Sequence, residues 1–292
     1  LSAAGSGTGL QTRAGIGEVL ALQSADGASL FATAHGAHLI SWKPASGQSA
    51  GEEQFYLSSL AAFGGSNAVR GGVPVIFPQF AGEGPLPKHG FLRNRAWRLL
   101  SAEQPASGPA TASFEIEDDA ATQAIWPHAF RAQLQLQLVG DRLEIRLLVT
   151  NTGATAFRFT AALHSYLKVA DIADVRIQGL QGLRYRDSAA NGTPATESAD
   201  RLAIVGEVDR IYFDAPPVIE LIELQRHLRI ESTDFPDAVV WNPGEAKAAA
   251  LVDLEPGGWR RFVCIESAAI GQPVELEAGR TWQGVQTLIA GG

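Results

Sequence analysis

Apolar and polar residues alternate with period two through "QLQLQLVGDRLEIRLLVT". Leu134, Leu136 and Leu138 alternate with polar neighbours, Gly140-Asp141 interrupts, and Leu143, Ile145, Leu147 and Val149 resume the alternation. Side chains two apart on a strand share a face, so this stretch predicts an antiparallel hairpin with one buried face. The same alternation, more briefly, marks "EVLALQS", "SLFATAHGAHLISWKP", "ASFEIED", "FRFTAALHSYLKV", "DVRIQGLQGLRYRDS", "VIELIELQRHLRIES", "DAVVWNP", "RRFVCIES" and "VELEAGRTWQGVQTLI". Helical stretches are scarce. "SSLAAFGG" predicts two helical turns stopped by Gly64-Gly65, and "VVWNPGEAKA" a strand running into a turn. No strand alternates with a long amphipathic helix. The pattern predicts an all-β fold, one large antiparallel β-sandwich with few short helices, too long for a seven-strand immunoglobulin module.

Composition narrows the partners more than the fold. The chain has 292 residues, 46% hydrophobic and 18% charged, enough for a large core. Residues 1–15, small and polar, read as a disordered or appended tail, and 16–292 as a single domain. A net charge of −8 argues against a broad nucleic-acid or anionic-membrane surface. No apolar run is long enough to span a bilayer and the first residues lack a signal-peptide pattern, so the expected location is the cytoplasm. The expected form is a monomer. One cysteine, Cys264, excludes a disulfide framework and a cysteine-based zinc site. The six histidines form no HxH or HxxxH pair, and His35 and His38, three apart in a strand-like segment, point to opposite faces. No GxGxxG, P-loop or GxSxG motif is present. Neither metal nor cofactor is expected.

Candidate chemistry gathers in a few places. "RGGVPVIFPQFAGEGPLPKHGFLRNRAW" is too rich in glycine and proline for a long helix or a central strand. It carries Arg70, Lys88, His89, Arg93 and Arg95 against the single acidic Glu83. In an acidic protein such a loop predicts a local anion site. His164 lies in the apolar strand "TAALHSYLKV". Glu266 shares a strand face with Phe262 and Cys264, where burial would raise its pKa toward general-base values.

Taken in order, "RGGVPVIFPQF", "HGFLRNRAW", "ALHSYLKVADI", "VDRIYF", "VVWNP" and "FVCIES" resemble the aldose 1-epimerase (mutarotase) superfamily, and within it the hexose-6-phosphate mutarotases. The resemblance covers the chain from about Gly15 onward. It implies the galactose mutarotase type of β-sandwich and interconversion of the α and β anomers of a hexose 6-phosphate, glucose 6-phosphate first among them. It implies Glu266 as general base, His164 as general acid, His89 as a second histidine at the sugar and Asp209 as a partner of sugar hydroxyls. It further implies Arg70 and Arg93 on the phosphate and Gln79 as a polar pocket residue. "ALVDLEPGGWRRF" departs from the family pattern at its turn. Two alternatives stay open: a mutarotase for unphosphorylated aldoses such as galactose or glucose, and a non-catalytic carbohydrate-binding sandwich using Trp42, Trp97 or Trp241 as aromatic platforms.

Overall fold

The computed structural model describes residues 9–65, 68–224 and 226–291. The expected hairpin forms as strands Phe130–Val139 and Arg142–Asn151, with Leu134, Leu136 and Leu138 opposite Leu147, Ile145 and Leu143. These strands lie within a nine-stranded sheet that continues through Thr281–Ala290 and His227–Thr233 on one side and Ala110–Glu117 and Arg98–Glu103 on the other. A second sheet of eight strands is centred on the long strand Phe262–Leu276, flanked by Asp237–Asn242 and Phe157–Leu163. One apolar core joins the two sheets, taking Leu134, Leu136, Ile145 and Leu288 from the first and Leu163, Val240, Val263 and Ile265 from the second. A four-stranded sheet, Leu10–Arg13 to Leu39–Lys43, adds Leu20, Leu30 and Trp42 to the same core. The all-β antiparallel expectation holds.

Some local expectations give way to tertiary contacts. Leu10–Arg13, within the stretch read as a tail, forms a strand paired with Gly17–Gln23, while residues 1–8 lie outside the described residues. "SSLAAFGG" is not helical. Ser58 Oγ instead donates to Asp253 O at 2.7 Å and to Glu255 Oε2 at 2.6 Å, and Leu60 N–H bonds back to Ser58 Oγ at 3.1 Å. A serine that finds such partners competes with helix formation. His35 and His38 flank a turn rather than share a strand, with Gly36 and Ala37 between them both at positive φ. Two short α-helices do form, Ala120–Ile125 and Gly244–Ala248. Asp119 and Thr122 close a reciprocal capping box on the first, a signal legible in "DAAT". No helix among the described residues is long and apolar enough to cross a membrane.

The functional face follows from alternation along Phe262–Leu276. Val263 and Ile265 enter the main core, so Phe262, Cys264 and Glu266 point out of the opposite face of the eight-stranded sheet. Two smaller apolar clusters cover that face. One contains Tyr56, Tyr166, Phe262 and Cys264, the other Ile76, Phe80, Ile211, Val239 and Ala268. Glu266 falls between them in sequence and register, opposite Val239 and two residues from both Cys264 and Ala268.

Candidate active site

His164 meets Glu266 because of strand register. Leu163 pairs with Ser267 and Tyr166 with Cys264, which sets His164 opposite Glu266. The ladder is interrupted there. Residues 164–165 belong to neither flanking strand, and His164 N–H bonds to Pro74 O at 3.1 Å. Across the interruption His164 Nε2 lies 3.2 Å from Glu266 Oε1. Both side chains are almost wholly buried, yet His164 Nδ1 and Glu266 Oε2 have no hydrogen-bond partner among the described residues. Burial, then the neighbouring His89 and Arg93, drive the His164 pKa well below its ordinary value. Burial and the nearby Asp209 drive Glu266 well above the ordinary carboxylate range, against the opposing pull of Arg93. Both shifts favour the uncharged pair, with one proton held between the two residues.

Aromatic rings hold the histidine in place. Tyr166, two residues along on the same face, stacks on it with centroids 4.9 Å apart and planes at 14°. Trp241 meets the His164 ring edge-on at 5.9 Å. His89 lies 5.7 Å from it, also edge-on. The sequence places His89 in a loop; the structure folds that loop over the sheet and half-buries the ring. Its Nδ1 accepts from the Ala81 N–H at 3.3 Å. Burial, with Arg93, Lys88 and Arg70 nearby, lowers its pKa to about 3. His89 is therefore neutral at physiological pH, with its proton on Nε2 as a donor.

The basic residues converge. Arg70 donates from Nη1 to the Tyr166 hydroxyl at 3.0 Å and from Nε to Asp253 at 3.2 Å, and lies over the Trp241 ring. Burial opposes its charge, but Tyr166 and Asp253 outweigh that and hold its pKa above the usual value. Arg93, on the short 3-10 turn Leu92–Asn94, donates to Lys88 O at 3.0 Å, and its buried Nε has no hydrogen-bond partner among the described residues. Asp209 reaches the same face, opposite Trp241, which is itself opposite Cys264. Burial raises its pKa.

Two sequence-stretch expectations change. Gln79 spends its amide on its own loop, with Nε2 to Leu86 O and Oε1 from Leu86 N, both at 3.0 Å, so both ends of the amide clamp the loop. Trp42 and Trp97 are buried at 0% and 3% exposure and offer no platform; of the three, only Trp241 reaches the site. Asp253 and Tyr166 were not singled out from sequence. Tyr166 was accessible through its period-two spacing from His164, whereas Asp253 lies 183 residues from its partner Arg70.

Glycines explain the shape of the basic loops. A Cβ on Gly71 would lie 2.3 Å from Tyr56 O, and one on Gly72 2.0 Å from Leu39 O. The RGG motif thus lets the Arg70 segment press against two neighbouring backbones. Gly90 has φ +67°, and a Cβ there would lie 2.0 Å from Phe77 O. Gly90→Ala is expected to cost about 2 kcal/mol or more, since the left-handed backbone alone costs about 1–2 kcal/mol. Denaturant titration measures this; an unchanged midpoint would contradict the close packing of the His89 loop.

No cluster of three potential metal-ligating side chains occurs among the described residues. What remains is a closely spaced histidine–glutamate pair, a neutral histidine donor, an aspartate and two guanidinium groups at one sheet face. That constellation, on an antiparallel sandwich, defines a mutarotase-like protein. The fold likeness is extensive: a crystal structure from Salmonella typhimurium, titled provisionally as a mutarotase, superposes with a TM-score of 0.82 at 29% identity, over 90% of this chain and 87% of that one. A galactose mutarotase-related enzyme from Lactobacillus acidophilus shares the fold at a TM-score of 0.74 and 16% identity, over 94% and 97% of the two chains. A Cenchrus ciliaris protein, provisionally named glucose-6-phosphate 1-epimerase, is 37% identical over 268 residues, 88% of this chain and 79% of its own. The sequence pattern of the aldose 1-epimerase family matches residues 18–288, and the chain belongs to that family.

Proposed function

We propose that this protein interconverts the α and β anomers of a hexose 6-phosphate, with glucose 6-phosphate as the leading substrate. The observation that carries the reading is the buried His164–Glu266 pair, 3.2 Å apart, with Arg70 and Arg93 beside it. Relatives provisionally named glucose-6-phosphate 1-epimerase support the substrate assignment.

Anomer exchange opens the pyranose ring. In the reactive protonation state Glu266 is ionised and His164 protonated. Glu266 removes the proton from the C1 hydroxyl while His164 delivers one to the ring oxygen O5. The C1–O5 bond breaks as the C1 carbonyl forms. Rotation about C1–C2 presents the other carbonyl face, and reversal of both proton transfers closes the ring. The resting uncharged pair and the reactive charged pair contain the same single proton, so the cycle begins without exchange with solvent. Each transfer contributes about 10²–10⁴-fold. His89 donates Nε2–H to a sugar oxygen, and Asp209 accepts from sugar hydroxyls. Arg70 and Arg93 hold the phosphate through charge-assisted hydrogen bonds.

The experiment is NMR exchange spectroscopy of anomer interconversion for glucose 6-phosphate, mannose 6-phosphate, galactose 6-phosphate and the free sugars. No acceleration for any of them would reject the reading. A second reading, a free-aldose mutarotase, draws on Asp253, whose carboxylate already engages Arg70. It predicts equal or greater kcat/KM for glucose than for glucose 6-phosphate.

The pH profile follows from the pair. Activity requires one proton on it, so the rate falls when a second binds and when the last one leaves. Burial resists a positive His164, placing the acid limb below the ordinary histidine value of 6.5. Burial and Asp209 retain the proton on Glu266, placing the alkaline limb above the ordinary carboxylate value of 4.5. A bell-shaped kcat/KM profile is expected, because these are shifts of the free enzyme, and a kcat/KM rising monotonically across the range contradicts the shared-proton pair.

A further inference from the structure

We propose that Gln286, from the opposite sheet, is a positioning residue that sets the separation of His164 and Glu266 from beneath. This inference rests on the proposed acid–base roles and extends them to a residue that touches neither of the two side chains.

Gln286 lies on the strand Thr281–Ala290 of the nine-stranded sheet and is wholly buried. On that strand Leu288 and Ala290 share its inward face and belong to the main core. Its amide crosses the interior and divides between two serines. Ser165 Oγ donates to Gln286 Oε1 at 2.5 Å, and Gln286 Nε2 donates to Ser267 Oγ at 2.9 Å. Ser165 follows His164, and Ser267 follows Glu266. Because successive side chains on a strand point to opposite faces, each serine faces the core directly behind one member of the acid–base pair. One amide therefore bridges the two strand segments that carry the pair.

The location gives the bridge its purpose. Residues 164–165 fall where the ladder between the two segments is interrupted, although Ile265 N–H still reaches Ser165 O at 3.2 Å. Apolar side chains at 165, 267 and 286 would fill this interior without the cost of burying an amide and two hydroxyls. The polar group is tolerated because its partners are supplied: Ser267 Oγ also lies 2.6 Å from Ser232 Oγ. A buried network with its partners in place fixes geometry more tightly than apolar packing, since hydrogen bonds are directional and apolar contacts are not. A base and an acid serving the C1–O5 unit need that constraint, because misplacement by about 1 Å costs on the order of 10²-fold in rate.

The test substitutes Gln286→Met, which keeps the length and removes both hydrogen bonds, and separately Ser165→Ala with Ser267→Ala, which removes the serine ends. Gln286 is remote from the sugar, so kcat for glucose 6-phosphate is expected to fall about tenfold while KM stays within about twofold. The side-chain ¹⁵N shift of His164 is expected to change in both variants at fixed pH, and combining them should add little, because they cut the same bridge. If the wild-type protein does not catalyse anomer exchange, the functional reading fails, and the His164 shift still tests the bridge by itself. An unfolded Gln286→Met variant leaves the serine variant to decide. Wild-type kcat together with an unchanged His164 shift in a folded variant would overturn the proposal. A drop in melting temperature with both readouts unchanged would also overturn it, since that is the signature of packing alone.

Discussion

Glu266→Gln is expected to lower kcat for anomer exchange by about 10²-fold or more, with the fold intact, and His164→Ala to do the same. The glutamine keeps the shape of the carboxylate but cannot take the C1 proton. Stability should move in the opposite direction from activity. A carboxyl whose folded-state pKa lies above its unfolded value binds its proton more tightly when folded, so it weakens the fold as pH rises past the unfolded value. Glu266 is shifted in that direction by burial and Asp209. At neutral pH, Glu266→Gln removes this penalty, and the melting temperature is expected to hold or rise. The two variants should lose rate together, and combining them should add little, because acid and base share one proton. If either single variant turns over at the wild-type rate, its assigned role is wrong.

Removing the basic residues should change which sugar is preferred. A hydrogen bond to a charged group contributes about 1.5–3 kcal/mol, so Arg93→Ala and Arg70→Ala are each expected to cost about 10–100-fold in kcat/KM for glucose 6-phosphate. The loss should fall mainly on KM, since phosphate contacts remote from C1 are similar before and during ring opening. Activity on free glucose should change little for Arg70. Arg93 also opposes the upward shift of Glu266 and the protonation of His164, so its removal should move the pH profile as well. Asp253→Asn separates the two substrate readings: freeing Arg70 from its ion pair should favour the phosphorylated sugar. An unchanged ratio of kcat/KM between the two sugars in both arginine variants would reject phosphate recognition by this pair.

The sequence was most legible where structure is local and periodic. The hairpin from Phe130 to Asn151 and the outward face of Phe262, Cys264 and Glu266 both follow from alternation. The Asp119–Thr122 capping box was equally local and was missed only because a helix of six residues carries little periodic signal. Contacts set by pairing across the sheet were not legible. The local pattern near His164 does not indicate residue 266, which only the family resemblance brought to the same sugar, and nothing near Arg70 points to Asp253. The loop at Ser58 failed for a related reason. Its composition permits a helix, but its hydroxyl finds Asp253 and Glu255 far along the chain. The basic loop was read correctly as a place of positive charge. The loop bonds of Gln79 were not legible, because a polar side chain in a loop bonds the loop's own backbone as readily as a ligand.

The proposed acid–base pair stands on the sheet, on segments tied into the central strand Phe262–Leu276, whereas Arg70, His89, Arg93 and Asp253 come from connecting segments. On the roles proposed above, proton transfer and substrate choice are therefore encoded in separate stretches of the chain. Insertions and replacements in the connecting segments can retarget the protein while the sheet beneath keeps its register. A mutational library confined to Arg70, His89, Arg93 and Asp253 explores new sugars from a scaffold that retains the proposed proton-transfer groups. One spread over Phe262–Leu276 would disturb chemistry and fold together.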